Sequence, residues 1–145
     1  MRKTLLVLII ILSLSLNACS TNELEKVESV KISYWIGDEK QPEEASFSDK
    51  NISKLFVNAT NRAVEVDDQK VIKTPPVLTY DLITDENTYQ TFHLWMTETG
   101  EGFIQSLLLE DRFTYRLEEG AVTDLTTFLN NEGNVDLSTH IEFEQ

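Results

Sequence analysis

The pattern of apolar and polar positions divides the chain into a leader and a folded stretch. From Leu5 to Leu16 the residues are apolar except for Ser13 and Ser15. A membrane-spanning helix needs about 20 apolar residues, so this run is too short to cross a bilayer stably. Ser20 to Glu28 is polar. Val30 to Ile36 then alternates, with Val30, Ile32, Tyr34 and Ile36 on one side and Lys31, Ser33 and Trp35 on the other. Period two predicts a strand. Gly37 to Ala45, with Pro42 and several acids, reads as a loop. Ile52, Leu55, Phe56, Ala59 and Ala63 recur at helical spacing. Ser48 suits the N-cap of that helix, Asp49 its positive end, and Phe47 a staple against Ile52.

Pro75-Pro76 then excludes a helix, and Val77 to Ile83 alternates with Leu78, Tyr80 and Leu82 on one face. Asp85-Glu86-Asn87 forms a turn into Thr88 to Met96. There Phe92, Leu94 and Met96 oppose Tyr89, Thr91, His93 and Trp95. Gly100 and Gly102 mark the next turn, and Phe103–Leu109 and Arg112–Leu117 complete the strands. A weaker helix is predicted over Ala121–Asn130, closed by Gly133. The order β-α-β-β-β-β-α predicts an α+β fold: a mainly antiparallel sheet of about five strands with helices on one face. The expected organisation is a leader over 1–18, a tether over 19–28, one domain over 29–130 and a polar C-terminal tail over 131–145.

The leader acquires meaning from its flanks. Arg2 and Lys3 precede the apolar run, and the chain's one cysteine follows it in Leu16-Asn17-Ala18-Cys19. These are the parts of an export signal, and the last four residues resemble a bacterial lipobox. That resemblance implies a diacylglyceryl group on the Cys19 thiol, cleavage between Ala18 and Cys19, and a domain anchored by acyl chains at the outer face of the cytoplasmic membrane. Two or three chains hold where one binds only reversibly. Cleavage would remove Arg2, Lys3 and no acid, taking the formal charge from -13 to -15. Anionic headgroups repel such a surface, which leaves anchoring to the lipid.

The charge also argues against nucleic acid, whose phosphates need clustered Lys and Arg. One cysteine excludes a disulfide framework, and His93 and His140 are too few to build a metal site without it. No serine stands in a glycine-flanked elbow, so no catalytic residue, cofactor or metal is assigned and the chain reads as a non-enzyme. The triplets Asn51-Ile52-Ser53 and Asn58-Ala59-Thr60 lie on the predicted helix and are taken as chance. One constellation stands above background. If the aliphatic positions face the helices, pleat alternation sends Trp35, Tyr89, His93, Trp95, Arg112 and Arg116 to the opposite face. Tryptophan, tyrosine and arginine together have the composition of a recognition surface.

Tyr80-Asp81-Leu82, Phe92-His93-Leu94-Trp95-Met96 and Glu110-Asp111-Arg112-Phe113-Thr114-Tyr115-Arg116-Leu117 resemble the YhfM-like family of small lipoproteins of Bacillus-type Gram-positive bacteria. Phe92, Met96 and Arg112 stand where that pattern has Tyr, Leu and Thr. The resemblance spans about residues 28–130 and implies a lipid-anchored, extracytoplasmic domain without an activity to carry over. The expected role is a binding or interaction module for an unknown protein or envelope ligand. Two alternatives remain open: an inhibitor or immunity-like protein steered to a basic target by its acidic surface, and a small envelope hydrolase centred on His93.

Overall fold

Hydrophobic alternation along the strands builds one sheet whose inner face carries two helices. The computed structural model describes residues 26–66, 71–108, 113–133 and 135–144. The predicted leader, Cys19 and Arg112 lie outside the described residues. The elements are β1 (Ser29–Ile36), β2 (Glu39–Phe47), α1 (Lys50–Arg62), β3 (Val64–Glu65), β4 (Leu78–Asp85), β5 (Thr88–Met96), β6 (Gly102–Ser106), β7 (Thr114–Arg116) and α2 (Glu119–Glu132).

The class is α+β, and every neighbouring strand pair is antiparallel. The sheet has seven strands in the order β2-β1-β4-β5-β6-β7-β3, not about five. The first added strand is β2, which occupies the segment read as a loop. Gly37, in the left-handed region with φ 62°, turns the chain back from β1. Thereafter β2 pairs with β1 from Phe47 opposite Val30 to Glu39 opposite Ile36. Its residues are mostly exposed, so an edge strand wet on both sides shows no alternation to read. An edge also tolerates Pro42, whose missing N–H would break an interior ladder. The second added strand, β3, is two residues long and takes the opposite edge.

α1 therefore starts at one edge of the sheet and ends at the other. Its N-cap is Asp49, not Ser48: the Asp49 carboxylate accepts from the amides of Asn51 (2.7 Å) and Ile52 (3.4 Å). Phe47 packs edge-on against Phe128 of α2. Phe56, Val57 and Ala59 of α1 and Val122, Leu125 and Leu129 of α2 join Val30, Ile32, Leu78, Tyr80, Leu82, Phe92, Leu94, Met96 and Ile104 in one core. Both helices thus cover the same face. Gly133, φ 78°, ends α2 by donating its amide to the Leu129 carbonyl.

The opposite face is partly covered as well. Residues 71–77 run across it, and residues 138–144 pack alongside. Ile72 bridges to Phe143, Thr97 to Ser138, and the amides of Lys73 and Glu144 donate to the Glu142 and Val71 carbonyls. Phe143 lies edge-on to Phe103 at 5.4 Å. This second layer closes over the β5–β6 part of the sheet; on the outward side of β1 and β4, Ser33 and Thr79 are buried and Lys31, Trp35, Asp81 and Ile83 are half-buried. Among the described residues no helix is long and apolar enough to cross a membrane.

Candidate functional site

Pleat alternation places Trp35 of β1, Thr79 of β4 and His93 of β5 on the outer face, and antiparallel register sets Thr79 directly beside His93. The Trp35 indole N–H donates to the Thr79 hydroxyl at 2.9 Å, and Thr79 Oγ1 lies 2.8 Å from His93 Nδ1. Thr79 has one proton. With one lone pair taken by the indole, donation of that proton to Nδ1 satisfies both groups and places the imidazole hydrogen on Nε2. The ring stands edge-on between two indoles, 5.6 Å from Trp35 and 5.7 Å from Trp95. Burial first, and the nearby Lys40 ammonium second, lower its pKa to about 4. Lys40 reaches the group because β2 pairs it with Trp35.

The predicted face is not assembled as one surface. Trp95 is 3% exposed, and its indole N–H donates to the Thr74 carbonyl at 2.7 Å beneath the second layer. The expectation of an open Trp95 is corrected: it is structural packing. Arg116 is exposed at the far side of that layer, with its guanidinium 5.3 Å above the Phe103 ring. Tyr89 is 60% exposed but lies at the start of β5, four residues from His93, about 13 Å at the usual strand rise. Arg112 is outside the described residues. What the fold does bring together is Trp35, His93, Thr79 and Lys40. The last two were missed. Thr79 was legible, because it alternates with Leu78 and Tyr80. Lys40 was not, because β2 carries no periodicity.

Chemically, this cluster offers an uncharged ring, an indole face and one cation at its rim. His93 has a hydroxyl beside it, but Thr79 is buried and engaged by Trp35, which keeps its oxygen from acting on a substrate. Further along the same face Thr91 donates to the Asp81 carboxylate at 2.6 Å, and Lys31 pairs with Glu44. The Lys31 contact lowers the Glu44 pKa. Behind the sheet, a shallow cleft of about 270 Å³ runs between α1 and α2, lined by Asn51, Lys54, Asn58, Arg62 and Asp124 among others. It opens away from His93. Among the described residues no three His, Cys, Asp or Glu side chains group as metal ligands. No family model, no curated protein and no solved structure matches the chain, so the reading of the site rests on its own geometry.

Proposed function

We propose that this chain is a lipid-anchored protein of the outer face of the cytoplasmic membrane, and that its folded domain is a binding or interaction module. The observation that carries the anchor is the sequence itself: a basic start, a short apolar run, and the one cysteine immediately after it in Leu16-Asn17-Ala18-Cys19. The likeness to YhfM-like lipoproteins supports the same address. The binding role draws support from the Trp35–His93–Lys40 patch on the outward side of the sheet. An indole and a neutral imidazole there can stack on a ring or an apolar side chain, and Lys40 can meet a carboxylate. The acidic balance favours an inhibitor or immunity-like role as the second reading, since it would steer a basic target toward the domain.

The test of the anchor is Cys19→Ala. Mass spectrometry of the purified membrane form should find a diacylated N-terminal cysteine in the parent protein. The variant should leave uncleaved precursor or released protein with an unchanged thermal transition. An unmodified thiol at Cys19 in the mature parent would refute the reading. For the patch, Lys40→Glu alters an exposed edge residue. It should weaken partner capture from membrane extracts while leaving the fold intact.

A further inference from the structure

We infer that one end of the sheet rests on the lipid headgroup interface, with Tyr89, Leu107 and Leu108 as its contact residues. This inference rests on the proposed anchor at Cys19. The strand directions define the end. β1 begins there, the β4–β5 turn lies there, and β6 finishes there. The chain enters the fold at the same end, where the Glu28 amide donates to the Ile83 carbonyl at 2.8 Å. Tyr89 stands opposite Ile83 in the register, and the Leu107 amide donates to the Thr91 carbonyl one strand further on.

Six large apolar side chains are exposed among the described residues, and three of them collect at this end: Tyr89 (60%), Leu107 (41%) and Leu108 (49%). The others are dispersed, with Ile36 at the opposite end, Val64 on the β3 edge and Val71 on the returning segment. From Cys19 to Lys26 the chain reaches at most roughly 25 Å. Leu107, on β6's exit, lies three strands from β1, about 15 Å at ordinary strand spacing. An acyl-anchored Cys19 therefore keeps these side chains within reach of the bilayer surface, whereas the Trp35–Lys40 end points away from it.

The occupant is a lipid interface. Tyr is enriched at headgroup depth, and leucine gains by burial just below it. The acids Glu28, before β1, and Asp85 and Glu86, at the β4–β5 turn, lie at the same end, so the attraction is apolar and not electrostatic. Three side chains alone would bind weakly. Tethering makes the contact intramolecular, at an effective concentration near the millimolar range for a short linker, and this is what populates it.

The test uses the full lipidated chain in phosphatidylcholine vesicles. Lipidation consumes the native thiol, so a nitroxide can be placed on Leu108→Cys, or on Glu86→Cys at the adjacent turn with both leucines retained. Asp38→Cys, in the β1–β2 turn at the opposite end, is the reference. Power saturation should show oxygen collisions exceeding those with an aqueous nickel chelate at positions 108 and 86 relative to 38. The same labels in the unlipidated Cys19→Ala protein should all behave as aqueous. A lipidated protein whose three positions are equally accessible to the chelate overturns the contact while leaving the anchor standing. An unmodified Cys19 in the parent overturns both.

Discussion

Acidification should expose the cost of keeping His93 uncharged. In the folded protein burial, assisted by Lys40, holds its pKa near 4. In the unfolded chain it titrates at the ordinary value near 6.5. Between these values the unfolded state binds a proton that the folded state does not, so stability is fully present above the window and falls as pH drops through it. Down to about pH 5, where most carboxylates are still ionised, unscreened linkage gives about 2 kcal/mol. Part of the ring reaches solvent, and halving the effect for that screening leaves about 1 kcal/mol. The assay is urea titration of the parent and of His93→Gln between about pH 7.5 and 5, with the His93 ring resonance followed separately down to about pH 3. The parent should lose about 1 kcal/mol more than the variant over that range, and the resonance should titrate near 4. Parallel losses, or a ring that titrates near 6.5, would show that His93 accepts its proton freely and is not enclosed by the two indoles.

Two further outcomes probe the packing. Trp95→Ala should cost about 3–5 kcal/mol in denaturant titration, because the ring is buried and hydrogen-bonded to Thr74; a loss below about 1 kcal/mol would mean that the second layer does not seal it. Gly102→Ala should cost about 1–3 kcal/mol, since a methyl there would meet Val122 Cγ2 at 2.8 Å and Leu117 Cδ1 at 2.9 Å. Combining it with Val122→Ala should cost less than the sum of the single changes, and strict additivity would refute the close approach of α2 to β6.

The parts of the fold legible in the sequence are those with one dry and one wet side. β5 was predicted at its observed bounds because Phe92, Leu94 and Met96 enter the core while their neighbours do not. The same contrast located β1, β4 and the buried stripe of α1. β2 was invisible because neither side is buried, and β3 because a two-residue strand has no period. The cap moved by one residue, from Ser48 to Asp49, for a local reason. Both side chains can accept from the first-turn amides, and the choice depends on where the backbone leaves the extended conformation, which at Asp49 is φ -68°, ψ 126°.

The candidate site shows a different kind of failure. Alternation correctly sent Trp35, Tyr89, His93, Trp95 and Arg116 to the outer side of the sheet, yet sharing a side is not sharing a surface. Which of them meets solvent was decided by residues 71–77 and 138–144, segments whose own pattern is nearly featureless. Over the outer face Ile72 and Phe143 bridge to each other and bring a ring onto Phe103, while Val135 and Leu137 pack against the main core. Isolated apolar residues in polar segments carry no periodic signal, because each covers a hole made by other strands. Phe103 was the available clue. It lies opposite Trp95 on the outer face, and Arg116 is its neighbour in β7. Two large rings side by side on that face call for a cover. Trp35 stands two strands from that pair, beyond the cover, and needs only His93 and Thr79 to support it. The division of the two tryptophans, Trp95 sealed and Trp35 half-buried, therefore follows from where residues 71–77 cross the sheet.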